Sequence, residues 1–239
     1  MSTLMFYNEP VALNKEIHRE TKVLAPKDYG FAKDTNSIVL AGVEFVEAAK
    51  EYPIVFVDAG DDKVVPAAIL GLRDKENSFI DSDGKWDARY VPAFVRRYPF
   101  VLADGSDGRF LICVDKSSLS ADEGQALFDE KGEETPYLIN AKNFMQQYHE
   151  QNRQTGLFTA KLKKLGLLTE MNAKAVMKKD NSSLMLRGFQ VIDEKALLAL
   201  KDKEALGLFK SGQMGWIYAH LISMGNFSRL VDKIAQREA

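Results

Sequence analysis

The sequence predicts an α+β fold, with an antiparallel sheet over about residues 54–116 packed against a mainly helical C-terminal half. Three observations carry this. Apolar runs such as Ile54-Val55-Phe56-Val57 and Phe110-Leu111-Ile112-Cys113-Val114 have strand length and end in polar turns. The Asp-Gly pairs Asp83-Gly84, Asp104-Gly105 and Asp107-Gly108 tolerate the positive φ that tight hairpins require. Beyond about residue 120, helix-cap signals and apolar residues at helical spacing predominate.

In chain order, residues up to about Ser37 are polar and without a steady period, which predicts an extended arm with short elements. The second half of the run 38–50 reads as a short helix ended by Pro53. Ile54-Val55-Phe56-Val57 is a buried strand, and a second runs from about Val65 to Leu72 after the turn Asp58-Ala59-Gly60-Asp61-Asp62. Asp81-Ser82-Asp83-Gly84 separates Phe79-Ile80 from Trp86, and Asp104-Gly105-Ser106-Asp107-Gly108 separates Phe100-Val101-Leu102 from Phe110-Leu111-Ile112. Ser120 with Glu123 three residues on has the spacing of a capping box, so a helix is expected there. A longer helix is expected over 139–165, with a break at Gly156 to be tested. A strand over 184–192 follows, then Asp193 as a cap, a helix over 194–200 and a final helical or mixed segment over 216–235. No internal repeat or low-complexity linker is present. The chain reads as a single domain over 1–239, with a weak subdivision near residues 133–136 into a sheet part and a helical part.

Composition narrows the function. At 239 residues and 46% hydrophobic, the chain buries enough apolar surface to fold on its core alone. A net charge of −2 and a pI near 6.0 argue against a nucleic-acid binder, leaving room only for a local basic stretch. Cys113, the one cysteine, reads as a buried strand thiol. The first ten residues lack the basic and apolar regions of a secretory signal, and no run reaches the ~18 apolar residues of a membrane span. A cytoplasmic protein is the expectation.

The search for chemistry returns little. His18, His149 and His220 are far apart, with no metal-binding spacing. Asp81-Ser82-Asp83-Gly84 imitates the start of a calcium loop but lacks its bidentate glutamate, so a hairpin turn is the better reading. There is no nucleophile elbow, phosphate loop or dinucleotide fingerprint, and Cys113 has no neighbour that would activate it. No cofactor, metal or catalytic set is expected.

Two constellations remain. Trp86, Tyr90, Arg96, Arg97 and Tyr98 fall in one short stretch, and guanidinium groups both pair with carboxylates and stack on rings. If this stretch is a strand, only one of Arg96 and Arg97 faces any one site. The competing reading is an arginine tied to an aspartate among core aromatics. Trp216 and His220 share a helix face four residues apart, as pocket lining or as a core pair. The lysines at 161, 163, 164, 174, 178 and 179 make either a solvated face or a surface for an acidic partner.

Tyr52-Pro53-Ile54-Val55-Phe56 and Ala67-Ala68-Ile69-Leu70-Gly71-Leu72-Arg73 resemble the opening block of the SapC family. Phe79-Ile80-Asp81-Ser82-Asp83-Gly84-Lys85-Trp86, then Tyr90-Val91-Pro92-Ala93-Phe94-Val95-Arg96-Arg97-Tyr98-Pro99-Phe100, resembles its most recognisable stretch. Gly188-Phe189-Gln190-Val191-Ile192-Asp193-Glu194 and Ile217-Tyr218-Ala219-His220-Leu221 agree near the C-terminus. The resemblance implies a bacterial protein of a family linked to surface-layer genes, with some members labelled for peptide transport or peptidase activity. Others resemble companions of outer-membrane receptor and oxygenase or halogenase genes. It brings no catalytic residues. The leading expectation is a non-enzymatic binding or accessory protein for a peptide, amino-acid-derived or acidic small ligand, or for a protein partner. An enzyme whose site assembles only in three dimensions and a scaffold for surface-layer or receptor systems are the alternatives. Oligomeric state is left open.

Overall fold

The computed structural model describes residues 4–104, 110–176 and 183–237. The α+β expectation holds: antiparallel sheets occupy much of the first half, and helices dominate the second. The strands expected over 54–116 nevertheless belong to two sheets. β3 (Ser37–Val39), β4 (Ile54–Asp58) and β5 (Val64–Ile69) join β10 (Leu168–Val176) and β11 (Ser183–Ile192) in a five-stranded sheet, ordered β10-β11-β4-β5-β3. β6 (Phe100–Asp104) and β7 (Phe110–Asp115) pair with β1 (Pro10–Ala12) in a separate three-stranded sheet. A third sheet is formed by β2 (Lys22–Val23), β8 (Leu119–Ser120) and β9 (Gln125–Ala126).

Local spacing identifies strands but not their partners, which explains the split. β4 is central in its sheet because it is apolar on both faces. Ile54, Val55 and Phe56 are all fully buried, so the strand needs neighbours on both edges and layers on both faces. One of those neighbours is β11, more than 120 positions along the chain.

Two local expectations are corrected, and one strand was not foreseen. The Ser120 capping box starts no helix: the Ser120 hydroxyl accepts the Asp122 and Glu123 N–H groups in a turn between β8 and β9. Ser, like Asn and Asp, offers its backbone an alternative to the helix by such bonds. β10, unassigned from the sequence, forms the longest pairing in the fold with β11. The break at Gly156 does not occur; α3 runs unbroken over Pro136–Lys164. Thr135 caps α3 by accepting the Leu138 N–H, and Pro136 occupies its first position, so residues 133–136 are a helix entrance. The expected turn at 105–108 lies outside the described residues.

Other readings hold. Ile80 bridges Trp86 across the Asp81 turn, whose carboxylate accepts the Asp83 and Lys85 N–H groups. Asp193 caps α4 (Glu194–Leu198) through the Lys195 and Ala196 N–H groups. Cys113 is buried on β7. α5 (Asp202–Lys210), α6 (Gln213–Ser223) and α7 (Asn226–Arg237) complete the chain.

α3 ties the molecule together. Near its start, Leu138 and Met145 enter a small core with Val23, Phe100, Val114 and Leu127. Near its end, Phe158 and Leu162 enter the main core around β4 and β5. At ~1.5 Å per residue its 29 residues span about 44 Å, enough to serve both. Lys161, Lys163 and Lys164 lie on its last turn, with Lys161 on Gln213 and Lys163 on Asp62, while Leu162 faces the core. Lys178 and Lys179 lie outside the described residues.

Candidate functional site

Between the two main sheets, under the middle of α3, lies a cleft of about 330 Å3. One wall is apolar: Val39 and Leu40 from the end of β3, and Val64, Val65 and Pro66 from β5. The facing wall is α3, which presents Tyr148, Asn152, Thr155 and Thr159 at successive steps of four, three and four. Phe94 and Arg97 close one side, together with Leu102 and Met145. His149 is exposed at the cleft, its ring tilted against Phe110 at 4.2 Å between ring centroids.

Arg97 is the chemical centre of this arrangement. It follows the one-turn helix α2 (Ala93–Arg96), so Arg96 and Arg97 diverge because of helical rather than strand geometry. Arg97 is buried, 5% exposed, with its guanidinium carbon 4.0 Å from the Phe94 ring centroid. The rings of Tyr148 and Tyr7 lie at 5.4 and 5.8 Å. A guanidinium held against ring faces is oriented by them, and its N–H groups point outward in its own plane.

Burial pushes the Tyr148 hydroxyl up to about 12, against the opposing pull of Arg97 and the Asn152 side chain. Burial likewise raises Tyr7, again opposed by Arg97. Both phenols are therefore neutral donors at physiological pH. The Thr155 hydroxyl is already engaged: it donates to the Gln151 carbonyl at 2.6 Å and accepts the Gly42 N–H at 2.8 Å.

The seven residues singled out in the sequence separate into distinct environments. Arg96, Arg97 and Tyr98 come together along a groove of about 220 Å3 beside Phe144 and Met145, and Arg97 alone of the seven also lines the larger cleft. Arg96 is exposed, donates to the Val91 carbonyl and lies over Phe144 and Tyr90. Tyr98 donates to Asp115 at 3.1 Å and stacks on Phe31.

The remaining four residues pack elsewhere. Trp86 donates its indole N–H to the Tyr52 hydroxyl at 2.8 Å, and that hydroxyl donates to the Tyr90 carbonyl. Tyr90 donates to Glu44 at 2.8 Å; burial first, and Glu44 second, raise its pKa. Trp216 packs on Phe158 and against Gly42. His220 is fully buried, and its Nε2 accepts the Ile192 N–H at 3.1 Å, fastening α6 to β11.

The cleft's polar wall was missed from sequence. The visible signal was Tyr148, Asn152, Thr155 and Thr159 at helical spacing on the face that also carries Met145. Such a stripe stands out only once that face is known to be buried.

Most of this architecture falls within one family model: the SapC model matches residues 13–230. The chain belongs to the SapC family. The match takes in both walls of the cleft as well as Arg97, so in this SapC chain the site is part of the family domain. No curated protein and no solved structure matches the chain. Among the described residues, no helix is long and apolar enough to cross a membrane.

Proposed function

We propose that this SapC-family chain is a binding or accessory protein that holds a small ligand in the cleft under α3. The observation that carries the reading is a concave, largely apolar cavity with a few polar side chains in its lining. Cavities with mostly apolar walls and a few convergent polar groups are the usual form of small-molecule sites. Here those groups are Arg97, Tyr148 and Asn152. A volume of about 330 Å3 suits a small molecule and is too small for a folded partner.

Native mass spectrometry of the chain purified from its own host tests this, followed by denaturation to release whatever is retained. The expected result is a stoichiometric small molecule that is lost in a variant with the cleft filled. A chain that retains nothing, or one that retains the same molecule with the cleft filled, overturns the reading.

A further inference from the structure

We infer that the cleft takes its ligand as a one-residue strand: a small amide-bearing molecule whose N–H and carbonyl pair with the outer backbone edge of β5 at Val64. This names the ligand class of the site proposed above and rests on that reading. Three observations carry it.

The first is the register of β5. The Ala59 N–H donates to the Lys63 carbonyl, and the Ile69 N–H to the Pro53 carbonyl, both at 2.9 Å. Such bonds fall on alternate residues of an antiparallel pair, so Lys63, Val65, Ala67 and Ile69 address β4. Val64, Pro66 and Ala68 address the opposite side. There β3 answers Pro66, whose carbonyl accepts the Leu40 N–H at 3.0 Å. The next residue in that register, opposite Val64, is Gly42, and Gly42 has left the strand. It begins a turn of 3-10 helix over Gly42–Glu44. The Ala41 N–H donates to the Glu44 carboxylate and the Gly42 N–H to the Thr155 hydroxyl, both at 2.8 Å.

The second observation is that the place β3 vacates is the cleft. Successive strand residues point to opposite faces of a sheet, so a cavity lined by both Val64 and Val65 lies at the strand's edge. Val64 is 8% exposed, and among the described residues no hydrogen bond reaches its outward N–H or C=O. Buried backbone groups are nearly always paired. A donor and an acceptor side by side on an open strand edge suit a further extended segment, joined by strand addition.

The third is length and volume. The open edge is one residue long, because β3 covers Pro66 and the hairpin turn precedes Lys63. At ~30 Å3 for each water-sized group, about 330 Å3 admits roughly ten non-hydrogen atoms, the size of one amino acid capped as an amide at both ends. Its acyl-amide N–H meets the Val64 carbonyl and its own carbonyl meets the Val64 N–H. Val39, Leu40 and Pro66 supply apolar wall around its side chain.

Pro66 suggests the control on the protein side. Its missing N–H falls on the β3 side of the strand, so the ladder with β4 is intact. A proline at 64 likewise removes only the N–H that faces the cleft. Val64→Pro therefore deletes the proposed donor and leaves the hairpin bonds in place.

The test is a nitrogen–proton NMR titration of the full chain with N-acetyl-L-valinamide and with its ester analogue, in which oxygen replaces the acetylated N–H. The amide should bind at least fivefold more tightly than the ester, since the ester leaves the Val64 carbonyl unpaired. On saturation with the amide, the Val64 N–H resonance should move downfield and its hydrogen exchange slow at least tenfold. Val64→Pro should weaken amide binding at least fivefold. If that variant does not fold, the Val64 resonance and the amide-to-ester ratio in the native chain decide the matter.

Equal binding of amide and ester with the Val64 resonance unmoved overturns the inference and leaves the ligand-binding reading standing, as does unchanged affinity in folded Val64→Pro. Failure of both compounds to bind also overturns the inference. The ligand-binding reading then falls only if the host-purified chain retains nothing.

Discussion

Replacing His220 with glutamine removes a pH dependence that the fold places in one side chain. The imidazole is fully buried between α6, β4 and β11, with Phe56 beside it at 5.0 Å between ring centroids. Burial lowers its pKa from 6.5 to about 4, against a smaller opposing effect of the Ile54 backbone. The folded value lies below the unfolded one, so as pH falls the unfolded chain takes up the proton first. The stability that depends on a neutral ring is complete above about 6.5 and drains between about 6.5 and about 4.

Each pH unit within that window removes about 1.4 kcal/mol. Going from pH 7 to pH 5 therefore costs about 2 kcal/mol from this ring alone. Glutamine can still present an oxygen to the Ile192 N–H, so His220→Gln should cost about 1–3 kcal/mol at pH 7, mainly through packing. Urea unfolding of both proteins at pH 7 and pH 5 measures the difference, and titrations of carboxylates common to both cancel in the comparison. The variant should lose about 2 kcal/mol less than the native chain between the two pH values. Equal losses, within ~0.5 kcal/mol, would refute the claim that His220 is held neutral by burial.

Two further outcomes follow from single contacts. A Cβ at Gly42 would stand 2.4 Å from the Trp216 ring, so Gly42→Ala should cost about 1–3 kcal/mol in urea unfolding, and Trp216→Leu should relieve part of that cost in the double variant. Asp115 is fully buried, and its carboxylate accepts the Asn8 and Glu9 N–H groups and the hydroxyls of Tyr98 and Ser117. Burial alone would raise its pKa, but these bonds outweigh burial and hold it below the usual carboxylate value. The stability it contributes is thus present above that range and lost as pH falls through the folded pKa. Asp115→Asn should destabilise the chain by about 2–3 kcal/mol at pH 7 and by progressively less in acid, as followed by unfolding at a series of pH values.

What could be read from the sequence was what depends on near neighbours in the chain. Asp193 as a helix cap, the Asp81 turn and the buried strand at Ile54 all rest on interactions spanning a few residues, and each is present. The partition of strands between sheets was not legible, because β4 is completed by β11 and β7 by β1, pairings set by tertiary packing. The site shows the same limit. Arg97 stood out as one arginine in an aromatic stretch, but its ring partner Tyr148 is 51 positions away on α3. Trp86 and His220 attracted notice for their chemistry. In the fold their polar atoms serve Tyr52 and the Ile192 N–H, a use that residue type alone does not reveal. The Ser120 signal misled because a Ser with acids two and three residues on serves a turn as well as a helix cap.

The central claim, that the cleft under α3 is a small-molecule site, is tested most directly by a crystal structure of the chain purified from its own host. The account predicts a bound molecule in the cleft against Val64 and Pro66. An empty cleft, or a molecule bound only at another surface, would contradict it.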